Sequence, residues 1–469
     1  MNLQRSSLFG DKKRMYYSPF TTKVVNNEII LKQTAPITFS NKTHYRAYIY
    51  AKAGVRISKT TLRKEKQLQG SEKEIIEQIH TIRFGETNPY VITGGHFYQL
   101  FVRNLGIFYN ALLDPRIPSS TKDWLNRQQI ALRTIALDLA VFALAGNEYT
   151  TIVPVQKHLF TCFNFYARPS DSLFAILYTL LALTDDTFIT TTFPTKKLPM
   201  YPQQTKTSAK KLLTQYKLLL THLLTNYHKE IINPQTGLVR TDILLASARD
   251  GIKRTSSFYD NVIAWATLGF AKRLGLYELT DLQLEQWRKR IKDAFWNTKA
   301  GIFLDDLSEM SQKKKLFSAD SFIVLSTKFL DVKKSKDRNY LQQIVTYVKQ
   351  NMLADPFPLH YSTHDLPKQL YRPVRHFAPS YMGTSIWSHW GMEYIKTLIY
   401  LGQYDQDYLS EAKKHLTSYE KNILQYGGYP EVYDKTGKIL HTRFYRSVLH
   451  NGWVVNYEQA QLLFSASRY

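Results

Sequence analysis

YDNVIAWATLGFAKRLGLYELTDLQLEQWRKRIKDAFWN, residues 259–297, spells two helices of opposite character joined by a short turn. Tyr259–Gly275 is apolar nearly all round, so it needs cover on every side. Thr280–Asn297 instead places Leu284, Trp287, Ile291, Ala294 and Phe295 on one face, with charges opposite, and so needs cover on one side only. A buried helix followed by one that shields it is the unit from which a layered helical fold is built.

The two kinds of helix recur outward from this stretch. Ala209–Tyr227 carries one stripe (Leu212, Tyr216, Leu219, Leu223, Tyr227), as does Asp407–Leu424 (Leu409, Ala412, Leu416, Tyr419, Ile423). Thr384–Gly402 and the shorter Ser172–Leu183 are apolar all round. Alternation of this sort around a ring predicts an all-α fold, an (α/α)6 toroid; an irregular helical bundle is the rival architecture. The connections NPQTGL (233–238), NTKAGIF (297–303) and DKTGKI (434–439) each set a glycine in a polar turn, where positive φ is needed.

Residues 1–70 read differently. Glu28–Lys32 and His44–Ile57 are β-branched or aromatic with partial alternation, so they read as strands. The expected division is a β-rich N-terminal extension (1–70) followed by the toroid (71–469). No apolar run approaches the roughly 18 residues of a membrane span. The N-terminus lacks the apolar core of a secretory signal, and Cys162 is the only cysteine, so a cytoplasmic protein without intramolecular disulfides is the expectation.

The net charge of +24 invites a polyanionic partner. Its lysines and arginines are dispersed, however, with no long basic stripe and no nucleic-acid motif, which favours a solvated lysine-biased surface. The histidines lack paired ligand spacing, and neither phosphate loops nor serine-nucleophile motifs occur in a convincing context, so no metal or other cofactor is implied.

ARDGIKRTSSFYDNVIAWATLGFAKRLG (248–275) resembles the central motif of the six-hairpin glycosidases, among them processing α-glucosidase, neutral invertase, the glucosidase domain of glycogen-debranching enzymes and the glucoamylases. In several of these an acid lies about ten residues before an aromatic-x-Asn that opens an inner helix. The resemblance makes Asp250 that acid and Tyr259, Asp260 and Asn261 the helix opening. Asp260 is the rival acid, or alternatively the N-cap of its helix.

Four further segments are similar to these families, and together the matches run from about Gly94 to Tyr469. GGHFYQLFVRNLGIFYNALLD (94–114) resembles the first inner helix, with Arg103 and Asn104 at a substrate-contacting rim. YARPSDSLFAIL (166–177) resembles the second, with Asp171 at its start. PSYMGTSIWSHWGMEYIKTLIYLGQYD (379–405) is similar to a late inner helix with Trp387 in its first turn. GGYPEVYDKTG (427–437) resembles a motif in which Glu431 occupies the place of the catalytic base.

Glycoside hydrolysis needs one protonated carboxyl to donate to the leaving oxygen and one carboxylate to act on the other face. The resemblance implies an inverting pair, with Glu431 activating water and Asp250 the acid. The substrate class is an oligosaccharide or polysaccharide, α-linked glucosides first. Tyr381, Trp387 and Trp453 are the candidate stacking surfaces for sugar rings, and Arg446 in FYRSVLHNGW joins Arg103 as a hydroxyl partner. Ala248 and Arg249 stand where relatives often carry Trp, and Asn104 where the glucoamylases have Asp. Those departures keep two rivals in view: a lyase or phosphorylase on the same scaffold, and a toroid that binds glycans or protein without catalysis.

Overall fold

The structure, a computed structural model, describes residues 65–467 apart from 86–89, 95–98, 118–120, 157–158, 165–166, 186, 189–202, 250 and 444, together with the strands of the first fifty residues. Those strands are β1 (Asn2–Ser6), β2 (Met15–Tyr17), β3 (Phe20–Val25), β4 (Glu28–Gln33) and β5 (Arg46–Tyr50). The last two fall in the segments expected to be extended. Further strands lie beyond residue 70, where helix patterns were expected to dominate; three of them are β6 (Leu100–Phe101), β7 (Thr151–Gln156) and β8 (Leu159–Phe163). They complete a six-stranded sheet in the order β2-β1-β5-β8-β7-β6, in which Ala47 of β5 lies opposite Cys162 of β8. Backbone pairing therefore ties the lead to the rest of the chain.

The helices are α1 (Glu72–Phe84), α2 (Thr121–Ala145), α3 (Ser172–Thr184), α4 (Gln203–Gln215), α5 (Lys217–Ile231), α6 (Phe258–Arg273) and α7 (Asp281–Phe295). They continue with α8 (Glu309–Lys314), α9 (Ile323–Ser326), α10 (Ser335–Gln350), α11 (Arg372–Phe377), α12 (Ser388–Leu401), α13 (Gln406–Tyr426) and α14 (Val454–Ala466). As the sequence predicts, α3, α6 and α12 are buried nearly all round, whereas α7 and α13 bury a single stripe; α10, not read from the sequence, does the same. The inner α3 packs on α6, and α12 on α14; α7 covers α6, and α10 and α13 cover α12. Helix α1 packs on both α2 and α13, which closes the ring.

Leu125–Ala145 within α2 has the length and hydropathy of a membrane span, and 67% of its most apolar window is buried inside the fold. That places it as a core helix of the toroid.

The helix ends follow local chemistry. Thr280 and Gln283 form a capping box at α7, and Ser257 caps α6. Gly237, Gly301 and Gly437 adopt φ of +67 to +85 (69, 67 and 85) in the three expected turns. Two readings are corrected. The helix expected over Ala209–Tyr227 is α4 and α5, broken at Tyr216 (φ −105, ψ 13). Thr384–Trp387 is not the first turn of its helix, because Ile386–Trp387 pairs with Val432–Tyr433 and the backbone is extended there. Helix α12 begins only at Ser388, and that pairing brings residue 431 to its head.

Candidate active site

Glu431 is held by its backbone before its side chain is considered. Its N–H donates to the Val448 carbonyl (2.9 Å), and its own carbonyl accepts from the Ser388 N–H (3.1 Å) and hydroxyl (3.0 Å). The carboxyl is 3% exposed, with Oε1 accepting from the Tyr381 hydroxyl (3.1 Å) and Oε2 from the Tyr445 hydroxyl (2.9 Å). Burial pushes its pKa up to about 7, although both phenols pull it down by stabilising the charged form, and the charge of Glu65 adds to the rise. Two donors on two oxygens are an arrangement for a carboxylate, poised near neutrality by its apolar surroundings.

Those surroundings are aromatic. Tyr381 lies 4.8 Å (ring centroids) from both Tyr445 and Trp387, and its carbonyl accepts from the Trp387 indole N–H at 2.6 Å. Trp387 stacks on Trp453 at 6.0 Å, and Trp453 stacks on Phe108 at 4.6 Å. Trp453 Nε1 is buried with no hydrogen-bond partner among the described residues. Both indoles are only 2% exposed, so they form the packed backing of this corner, whereas the ring of Tyr381 is half-buried.

A second group of buried charges lies behind this wall. Arg249 is fully buried; it donates through Nη1 to Asp305 (2.7 Å), and its guanidinium carbon stands 4.9 Å from the centre of the Tyr361 ring. Tyr361 in turn contacts Trp387 at 5.1 Å. Arg254 bonds Asp305 (3.2 Å), Asp320 (2.7 Å) and Ser247 (2.7 Å). Arg103 donates to the Ser247 carbonyl and pairs with Asp171 (3.4 Å), which also accepts from Tyr259 (3.2 Å). Charges buried to this degree are tolerated because each meets an opposite charge and further hydrogen bonds.

The residues expected from sequence thus fall into separate sets. Glu431, Tyr381, Trp387 and Trp453 share one wall, while Arg103, Asp171 and Tyr259 belong to the buried charge network. Asp260 is not the N-cap of α6. It sits three residues inside the helix, accepting from Ser257 (2.5 Å) and Ser170 (2.6 Å). Asn261 is spent on the backbone, accepting from Val239 N–H (2.8 Å) and donating to the Ser257 carbonyl (2.8 Å). Asn104 donates to Thr93 (3.2 Å), and Arg446 is exposed next to Tyr445. Asp250 lies outside the described residues; its neighbours are anchored, Arg249 to the Met382 carbonyl and Gly251 by its N–H to Met382 Sδ (3.1 Å).

Sequence reasoning missed Tyr445, although it stands in the quoted FYRSVLHNGW, because nothing in that segment announces a contact with Glu431. Arg254, Asp305, Asp320 and Tyr361 were missed for the same reason: their meaning is entirely long-range.

No family model and no curated protein sequence matches the chain. Among solved structures, glucoamylase from Saccharomycopsis fibuligera superposes with a TM-score of 0.50 at 10% identity, covering 87% of this chain and 98% of that one. Neutral trehalase from Saccharomyces cerevisiae matches at 0.47 and 13% identity, over 84% and 82% of the two chains. Cellobiose 2-epimerase from Bacillus thermoamylovorans matches at 0.47 and 13%, over 85% and 98%. Buried inner helices, one-stripe outer helices, ring closure through α1 and the glucoamylase superposition agree: the chain has an (α/α)6 toroid fold.

Proposed function

We propose that this toroid is an inverting glycoside hydrolase acting on α-glucosidic or related oligosaccharide linkages, with Glu431 as base and Asp250 as acid. The observation that carries the reading is Glu431 itself, a buried carboxyl clasped by two tyrosine hydroxyls beside stacked tryptophans. In the proposed reaction Asp250 gives its proton to the glycosidic oxygen as the bond to the anomeric carbon breaks. Water adds to that carbon from the opposite face, and Glu431 takes the water's proton. Base function requires the ionised form, which Tyr381 and Tyr445 favour by donating to it. In this reading the half-buried Tyr381 ring, backed by Trp387 and Trp453, is the face offered to the sugar, and Arg249 is anchored to the carbonyl of Met382, next to Tyr381 in the chain.

The experiment is hydrolysis of a panel of α- and β-linked oligosaccharides by wild type, Glu431→Gln and Asp250→Asn, with the product anomer followed by NMR. Both variants should be folded and inactive, and the first-formed anomer should be opposite to that of the substrate. Full activity of Glu431→Gln, or a wild type inert across the panel, overturns the reading. An active Asp250→Asn moves the acid elsewhere, Asp260 first.

A further inference from the structure

One peptide group stands between Glu431 and a second, half-buried carboxylate. The carbonyl of the Val448–Leu449 peptide accepts the Glu431 N–H at 2.9 Å, and the N–H of the same peptide donates to Glu65 Oε2 at 2.6 Å. Glu65 is carried by the segment that enters α1, 384 residues away in sequence from the Leu449 it bonds. We propose that Glu65 is a positioning residue for Glu431, so that the N-terminal lead is part of the candidate active site. The inference rests on the reading of Glu431 as the base.

The lead is built into this corner by more than one contact. The Leu68 N–H donates to the Gly427 carbonyl (2.8 Å), and Gly427 is tailored to that approach: its φ is +54, and a Cβ there would fall 2.3 Å from the Leu68 carbonyl oxygen. Glu65 Oε1 meets Arg83 Nη2 at 2.5 Å, while Arg83 Nε donates to the His450 carbonyl. Gly94 crosses so closely over Arg83 that a Cβ would fall 2.1 Å from Cζ. Arg83 is therefore immobilised beneath Gly94, and Glu65 and Arg83 hold the backbone of residues 449 and 450. Glu65 has only 15% of its side chain exposed, and removing it would leave Arg83 a buried cation without its counter-charge.

The consequence for Glu431 has two parts. Mechanically, segment 448–450 is the backbone surface against which Glu431 hangs, so loosening it changes where the carboxyl sits between its tyrosines. Electrostatically, peptide dipoles in a hydrogen-bonded chain polarise one another, and a second negative charge disfavours ionisation of the first. The groups facing Glu431 are the hydroxyls of Tyr381 and Tyr445, with Glu65 and its partners Arg83 and His450 behind the peptide, and buried Tyr109 beside them. Among the described residues, Glu65 is the like charge that raises the pKa of Glu431.

The test compares wild type, Glu65→Gln, Glu65→Asp and Glu431→Gln. Glutamate carboxyl carbons labelled with 13C are titrated by NMR in the absence of substrate, the Glu431 signal being assigned by its loss in Glu431→Gln. Glu65→Gln should move the Glu431 midpoint to lower pH, while Glu65→Asp, which keeps the charge, should leave the midpoint near that of wild type. On a hydrolysed oligosaccharide, the acid limb of kcat should move with the NMR midpoint, and kcat should fall in both Glu65 variants with little change in KM. A Glu431 midpoint unmoved in folded Glu65→Gln, or kcat and pH profile both equal to wild type, overturns the proposal. Because the titration needs no turnover, a wild type that hydrolyses nothing defeats the assigned reaction while the coupling between Glu65 and Glu431 is still decided. Should Glu65→Gln fail to fold, Glu65→Asp supplies the test, through the same titration and a loss of kcat with the charge kept.

Discussion

Arg249 donates through Nε (3.0 Å) and Nη2 (2.6 Å) to a single acceptor, the carbonyl of Met382. One guanidinium thereby joins the segment next to Asp250 to the loop that presents Tyr381 to Glu431, and its remaining arm neutralises Asp305. A lysine has the charge but not the planar fork that serves both partners at once. Arg249→Lys is expected to keep the fold and lose hydrolytic rate. Arg249→Leu leaves Asp305 with Arg254 alone and should cost about 3–5 kcal/mol in urea unfolding, the usual result of removing one partner from a buried pair. A rate and stability equal to wild type in Arg249→Lys would show that the fork does not organise this corner.

Glu431→Gln should lower hydrolysis roughly a hundred- to ten-thousand-fold, the usual contribution of a positioned acid or base. It should also stabilise the protein, and do so in a pH-dependent way. A carboxyl whose folded pKa, here about 7, lies above its unfolded one contributes stability that is complete below the unfolded value. That stability is lost as the pH rises through the folded value. Wild type and variant should therefore unfold alike at low pH and diverge as the pH rises from 4.5 to about 7, the difference levelling off above neutrality at up to about 3 kcal/mol. Thermal unfolding across pH checks this, and a divergence that grows toward acid has the wrong sign.

Tyr445→Phe removes a donor to the ionised form of Glu431 while keeping the ring against Tyr381. The acid limb of kcat should move upward from about 7, because the carboxylate has lost a hydrogen bond that held its pKa down. A limb that moves downward, or not at all, would mean that Tyr445 does not donate to the ionised form.

Asp138 on α2 is fully buried, and neither carboxyl oxygen has a hydrogen-bond partner among the described residues. Burial holds its pKa well above the usual carboxylate range, which favours the neutral acid over the ionised form. Asp138→Asn should then be nearly neutral at low pH and stabilising as the pH rises past the ordinary carboxylate value, where the unfolded wild-type chain gains from ionising. Chemical denaturation at two pH values measures it; strong destabilisation at both would require an ionised Asp138 with a partner.

Gly427→Ala combines a positive φ with a Cβ driven into the Leu68 carbonyl. The conformation alone costs about 1–2 kcal/mol for an L-residue, and the contact adds to it. Urea unfolding should show at least that loss, together with increased cleavage by protease near residue 68. Wild-type stability and protease resistance would mean that the lead does not need this close approach.

Much of the architecture was legible because it rests on local pattern. Tyr259–Gly275 is apolar on all sides and Thr280–Asn297 on one, so their layers follow from what water excludes. The turn glycines 237, 301 and 437 were readable because positive φ is a property of a few residues. The failures were equally physical. Trp387 looked like the first turn of a helix because nothing nearby reveals that Val432 takes its backbone into a ladder, and β7–β8 were read as part of a helical region although their partner β5 lies a hundred residues earlier.

For the site, sequence alone settled that a glutamate between two tyrosines, Tyr429 and Tyr433, stood in a glycine-rich loop worth inspecting. Only the tertiary structure decided its environment. The tyrosines that matter are not those sequence neighbours but Tyr381 and Tyr445, and the second carboxylate behind it is Glu65. Helix periodicity is a local property of the chain, whereas the pKa of a carboxyl depends on burial and on charges brought from distant segments, which no window of sequence contains.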